Sequence, residues 1–163
     1  MLGDLGRDEA LLLALLNSAP VIDGTPRDEL DSAETWLAAQ GRSPSDNPAA
    51  VLREARDALK AVIRGEAGAS SLARFLADVR AVPAMTDNGL KWTLDSDSVA
   101  AQAVLAWDWL NSTSHGQLRP CANSECELFL IDRSKANNAR WCSMAVCGNR
   151  MKARRHYQRS RQA

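Results

Sequence analysis

Cys121-Ala122-Asn123-Ser124-Glu125-Cys126 and Cys142-Ser143-Met144-Ala145-Val146-Cys147 contain all four cysteines of this 163-residue chain, as two C-x4-C pairs with fifteen residues between them. Two short loops that each offer a pair of thiolates can fill the four vertices of a tetrahedron, which is how a structural zinc ion is held. Disulfides belong to oxidising compartments, and no secretion signal points to one here. Plant-type iron–sulfur runs include a C-x2-C, which this chain lacks. A redox-responsive thiol cluster stays open, because thiolates beside cationic groups oxidise readily. A structural four-cysteine zinc site best explains the paired spacing. Four protein ligands leave no vertex for water, so catalytic zinc is not expected.

Between the pairs, Leu128-Phe129-Leu130-Ile131 is apolar enough for a strand, and Asp132-Arg133-Ser134 then turns the chain. Asn137-Asn138 allows a tight turn into Arg140-Trp141-Cys142, which predicts a zinc-stapled hairpin of residues 128–131 with 140–142. Residues 151–161 hold no breaker and are rich in helix formers. The last ligand would therefore sit near a helix N-terminus, where backbone N–H groups and the macrodipole favour thiolate. Knuckle, hairpin and ligand-bearing helix together describe a treble-clef-like zinc finger.

Charge divides the chain at the same place. Residues 1–118 carry 10 basic and 17 acidic side chains, whereas residues 119–163 carry 10 basic and 3 acidic. Four thiolates around Zn2+ would add about −2 to the second segment and leave it strongly basic. Such asymmetry suggests a polyanionic partner. The alternative is that the basic tail docks on the acidic body. Arg150, Lys152, Arg154, Arg155, Arg159 and Arg161 crowd the terminal helix with no acid among them. A solvated face is usually mixed in sign, so these six are the candidate nucleic-acid contacts.

Upstream, the pattern is mainly α. Residues 8–17 read as a core helix opened by Asp8 and Glu9, and a loop follows through Pro20, Gly24 and Pro26. Asp31 or Ser32 is expected to cap a short helix that buries Trp36 and Leu37 and stops at Gly41. Asn47 is expected as N-cap of an amphipathic helix running to Gly65, with Val51, Leu52, Ala55, Leu59 and Val62 inward and Arg53, Glu54, Arg56, Asp57 and Lys60 outward. Residues 70–80 read as a further helix burying Leu72, Phe75, Leu76 and Val79. Asn88-Gly89 marks a β-hairpin with residues 91–94 as its second strand. A last body helix starts near Asp97 or Ser98, and residues 112–120 read as a linker.

No apolar run reaches the length of about eighteen residues that a membrane span requires. The run 10–16 follows an acidic segment containing Asp4, Asp8 and Glu9, which is the wrong charge for a signal peptide, so a cytoplasmic protein is expected. There is no G-x-S-x-G, P-loop, G-x-G-x-x-G or H-E-x-x-H, and no enzymatic activity is expected. His115 and His156 are not spaced as a metal pair and read as a linker and a helix-surface residue.

Arg140-Trp141-Cys142-Ser143-Met144 and Cys147-Gly148-Asn149-Arg150, with Phe129-Leu130-Ile131-Asp132 before and Lys152-Ala153-Arg154-Arg155 after, resemble the CGNR zinc-finger family over roughly residues 119–159. Leu15-Leu16-Asn17-Ser18 and Trp36-Leu37-Ala38-Ala39-Gln40-Gly41 resemble the opening of the ABATE domain that often precedes that module and is associated with stress-induced transcription regulation. The resemblance implies Zn2+ on Cys121, Cys126, Cys142 and Cys147. In the tetrapeptide, Gly148 is expected to spare a clash near the metal and aim its N–H at sulfur, Asn149 to bond locally and Arg150 to offset the site's charge.

The resulting expectation is a helical ABATE-like domain over 1–116 with a small hairpin, followed by a CGNR-type zinc finger over 117–163. Double-stranded DNA is the expected partner of the basic helix, in a transcriptional regulator whose N-terminal domain takes a small-molecule effector or a protein. The alternative is an adaptor whose basic module grips an acidic protein surface.

Overall fold

A computed structural model of the chain describes residues 5–161; residues 1–4, which include Asp4, and 162–163 lie outside the description. The body is built on α1, Glu9–Leu16, whose Leu11, Leu12, Leu15 and Leu16 are all buried. A helix apolar on every side must lie at the centre of a core. Asp8 caps it by accepting from the Leu11 N–H (3.0 Å). Leu16 is followed by a two-residue hairpin, β1 Val21–Ile22 against β2 Thr25–Pro26. Asp23 (φ +50°) and Gly24 (φ +77°) make its turn, the left-handed pair that a type I′ turn requires.

A 3-10 turn, Glu29–Ser32, leads into α2, Ala33–Ala39, which buries Trp36 and Leu37. Neither Asp31 nor Ser32 supplies a side-chain cap. Asp28 does, by accepting from the Leu30 N–H (3.0 Å), so the cap sits one short turn earlier than expected. The long helix α3 spans Ala49–Ile63 with Pro48 at its N-cap position. Asn47 does not cap it. Its Oδ1 accepts from Val99 N–H (2.7 Å), while its Nδ2 donates to Ser43 O (2.9 Å) and Asp97 O (3.0 Å). Asn47 thus caps a different helix, α4, Val99–Ser112, together with Ser98, whose Oγ accepts from Ala101 N–H (3.2 Å).

The outward face of α3 is also not as expected, since Arg56 and Lys60 are buried. The Glu29–Ser32 turn and the later strand Phe129–Asp132 cover that side of the helix, and each cation finds a partner there. Arg56 makes a two-pronged pair with Asp28 (2.7 and 3.0 Å) and donates to Ser18 Oγ (3.1 Å). Residues 69–76 form a 3-10 helix, Ala69–Leu76, rather than an α-helix through 80. Three residues per turn eclipse i and i+3, which puts Leu72 and Phe75 one above the other on the core.

The expected hairpin is present as β3, Ala81–Thr86, against β4, Gly89–Leu94, with Asp87-Asn88 as its loop. The positive φ falls at Gly89 (+106°), just after the loop. Thr86 Oγ1 closes the turn on Gly89 O (2.8 Å).

The segment read as a linker contributes a strand. β5, Gln117–Pro120, pairs antiparallel with β6, Phe129–Asp132, in the register Leu118↔Ile131 and Pro120↔Phe129. The partner of β6 is therefore β5 and not residues 140–142. The reason is burial, because Leu118 and Ile131 pack against the body core and Phe129, 1% exposed, is part of it. Gly116 permits this, as a Cβ there would stand 2.7 Å from Ile131 Cγ2. Among the described residues, no helix is long and apolar enough to cross a membrane.

Candidate metal centre and basic helix

The β5–β6 hairpin has the first cysteine knuckle as its loop. Cys121 N–H donates to Leu128 O (2.8 Å) and Cys126 N–H to Asn123 O (2.9 Å), which curls residues 121–128 so that both sulfurs face the same way. The second knuckle is laid across it by Ala122 N–H to Arg140 O (2.7 Å) and Cys142 N–H to Cys121 Sγ (3.4 Å). Residues 133–139 reach this crossing through Asp132, a buried carboxylate. It accepts from Ser134 N–H (2.9 Å), Ser134 Oγ (2.7 Å) and Ala139 N–H (3.0 Å), and the Ser134 bonds above all hold its pKa below the usual carboxylate value. Asn137 at φ +49° supplies the tight turn.

The four sulfurs lie within 4.8 Å of one another. Cys126 Sγ and Cys142 Sγ are 3.6 Å apart, and Cys142 Sγ and Cys147 Sγ are 3.7 Å apart. A tetrahedron of Zn–S bonds near 2.3 Å puts its sulfurs about 3.8 Å apart, so the cluster has the dimensions of a four-thiolate metal site. A disulfide would need about 2.05 Å, and all four cysteines are free. Neither His115 nor His156 joins the cluster; the His115 ring lies 4.8 Å from that of Trp109.

The cluster drives the pKa values of its thiols apart. Burial, then the neighbouring thiols, pushes Cys142 far up, and burial pushes Cys126 up to about 11. Cys147 is drawn down against its burial, chiefly by a hydrogen bond from Asn123. That side chain is 1% exposed, with Nδ2 donating to Cys147 Sγ (3.4 Å) and Oδ1 accepting from Glu125 N–H (3.2 Å). Sequence reasoning gave Asn123 no role. A polar residue between two ligands was the only signal, and it does not say which sulfur is reached.

The tetrapeptide that closes the cluster differs from expectation at Gly148. Gly148 N–H donates to Ser143 O (2.9 Å), not to sulfur. The space a Cβ would take is filled by Met144 Sδ (2.8 Å) and bordered by Trp141 Cδ1 (3.3 Å), so the clash it spares is with side chains of the knuckle. Asn149 bonds locally, to Ala145 O (3.4 Å).

A π-turn, Met144–Gly148, runs directly into α5, Asn149–Arg161, of whose residues none is buried. At about 100° per residue the cations fall into two opposite stripes, Arg150/Arg154/Arg161 and Lys152/Arg155/Arg159. The first faces the knuckle, since Arg154 donates to Glu125 (2.5 Å), and Arg154 and then Arg150 hold the Glu125 carboxyl below its usual range. The second stripe makes no ion pair among the described residues. Among the described residues, no cation of α5 pairs with an acid of the body. Arg133, which pairs with Glu9, ties the hairpin's end to α1 instead.

A cluster of four cysteine sulfurs held by two crossed knuckles, with a helix leaving the last of them, has the donor set and dimensions that a zinc-finger module requires. Residues 117–160 match the family model of the CGNR zinc finger. No curated protein matches the chain.

Proposed function

We propose that this protein is a DNA-binding transcriptional regulator in which a structural zinc ion, held by Cys121, Cys126, Cys142 and Cys147, orients α5 toward a duplex. The supporting observation is α5 itself: a helix with no buried residue, whose Lys152, Arg155 and Arg159 share one exposed face with no carboxylate paired to them among the described residues. A cationic helix in that state matches the regularly spaced phosphates of a duplex. Four protein thiolates leave the metal no open position, which favours a non-catalytic role. Reduced thiol ligands suit the cytoplasm.

The body is read as an ABATE-like domain that receives an effector or a partner. A groove of ≈ 640 Å³ lined by Trp107, His115, Asp132 and Asn137 lies between the end of α4 and the β5–β6 hairpin, where a ligand would touch body and zinc module together.

Titrating zinc-loaded protein against duplex DNA over a range of salt tests the proposal. Affinity should fall linearly in log salt, and replacing Lys152, Arg155 or Arg159 with Ala should each lower the slope by about 1. Absence of duplex binding at low salt, with binding to an acidic protein surface retained, would sink the DNA reading in favour of an adaptor.

A further inference from the structure

Met144 and Val146 are large apolar side chains on the surface, each 54% exposed, in the turn that feeds α5. The turn that carries them is well fixed. Ser143 Oγ accepts from Val146 N–H (3.4 Å), Gly148 N–H returns to Ser143 O (2.9 Å), and the missing Cβ of Gly148 leaves a slot for the Met144 thioether against Trp141. The Arg140 guanidinium covers the Trp141 ring at 5.2 Å from its centroid. The apolar pair therefore has a built support and no covering, at the N-terminal head of a cationic helix. No acidic residue follows Asp132 in the sequence, and the carboxylate that does lie beside α5, Glu125, is paired with Arg154.

We infer that Met144 and Val146 are base-contacting residues that meet the 5-methyl groups of thymine in the major groove while the α5 cations hold phosphates. The inference rests on the duplex-binding reading above. A helix about 10–12 Å across fits a major groove about 12 Å wide. Recognition helices turn their N-terminal ends to base edges, where a helix dipole is also most favourable to the polyanion. Of the groups displayed in that groove, the thymine methyl is the one that apolar side chains read, and it is absent from the minor groove.

The test uses the zinc-loaded full chain and two pairs of duplexes: alternating dA·dT with its deoxyuridine counterpart, and alternating dG·dC with its 5-methylcytosine counterpart. Each contacted methyl should strengthen binding about fourfold in both pairs, the worth of burying one such group. The double variant Met144→Gln, Val146→Asn should bind all four duplexes without methyl discrimination, at unchanged zinc content and salt slope. Equal wild-type affinity for thymine and uracil duplexes overturns the inference while leaving the DNA reading intact, as does a double variant that still discriminates. No binding to any duplex overturns both. The wild-type comparison decides the matter even if the variant fails to fold.

Discussion

Asn17 and Asn123 are short amides whose value comes from what lies far away in sequence. Asn17 Oδ1 accepts from Phe129 N–H (2.7 Å) and its Nδ2 donates to Phe129 O (3.2 Å), so a side chain at the end of α1 pairs with β6 as a neighbouring strand would. Replacing Asn17 with Ala leaves both backbone groups at a largely buried seam without partners and should cost about 1–3 kcal/mol in thermal unfolding, with zinc content unchanged. Asn123→Ala removes the hydrogen bond on Cys147 Sγ; zinc affinity measured by chelator competition should fall about 10- to 100-fold. Both residues stand in quoted motifs of the sequence. Their partners could not be read there, because an amide bonds to whatever the fold brings within about 3 Å.

Among the elements, α3 shows how burial reassigns a helix face. Lys60 Nζ lies 5.7 Å and the Arg64 guanidinium 5.4 Å from the centroid of the Phe129 ring, one ring taking two cations from successive turns. Burial, ahead of the repulsion from Arg56, lowers the Lys60 pKa. On the same helix, Arg56 holds Asp28 down from 3.8 to about 2, chiefly through their hydrogen bonds and against partial burial. A carboxylate depressed in the folded state stabilises the protein above its unfolded pKa, and that contribution disappears as pH falls from about 4 to about 2. Asp28→Asn should therefore cost about 2 kcal/mol near neutral pH and almost nothing near pH 2, as denaturant melts across that range would show. Period alone put Arg56 and Lys60 outside. A stripe count cannot know that a turn and a strand from elsewhere will cover the polar side.

For the whole molecule, the zinc module and the body share one core. Phe129 is buried among body residues, Leu118 and Ile131 pack beside it, and Arg64 pairs with Glu127 (2.8 Å). Phe129→Ala should cost about 3–5 kcal/mol and split a single thermal transition into two, while the chain keeps one zinc. Metal removal should act in the opposite sense. Chelation is expected to release the knuckles and α5, reducing helical circular dichroism by roughly that helix's share, while the core around α1, α3 and α4 still melts cooperatively. A chelated protein that loses all its helicity at once would contradict this division.

The cysteine spacing, the basic helix and the four body helices with strong caps or periods were legible in the chain, because each is a local pattern whose chemistry needs only near neighbours. The sulfur cluster itself was foreseeable, since two identical knuckles have few other uses. Tertiary structure alone decided that residues 117–120 are a strand, that Asn47 caps α4, that Gly148 makes room for Met144, and which stripe of α5 faces solvent. Except for Gly148, whose neighbour is one turn away, these depend on a partner distant in sequence, and burial chose it by removing apolar surface from water around groups whose hydrogen bonds then had to be satisfied.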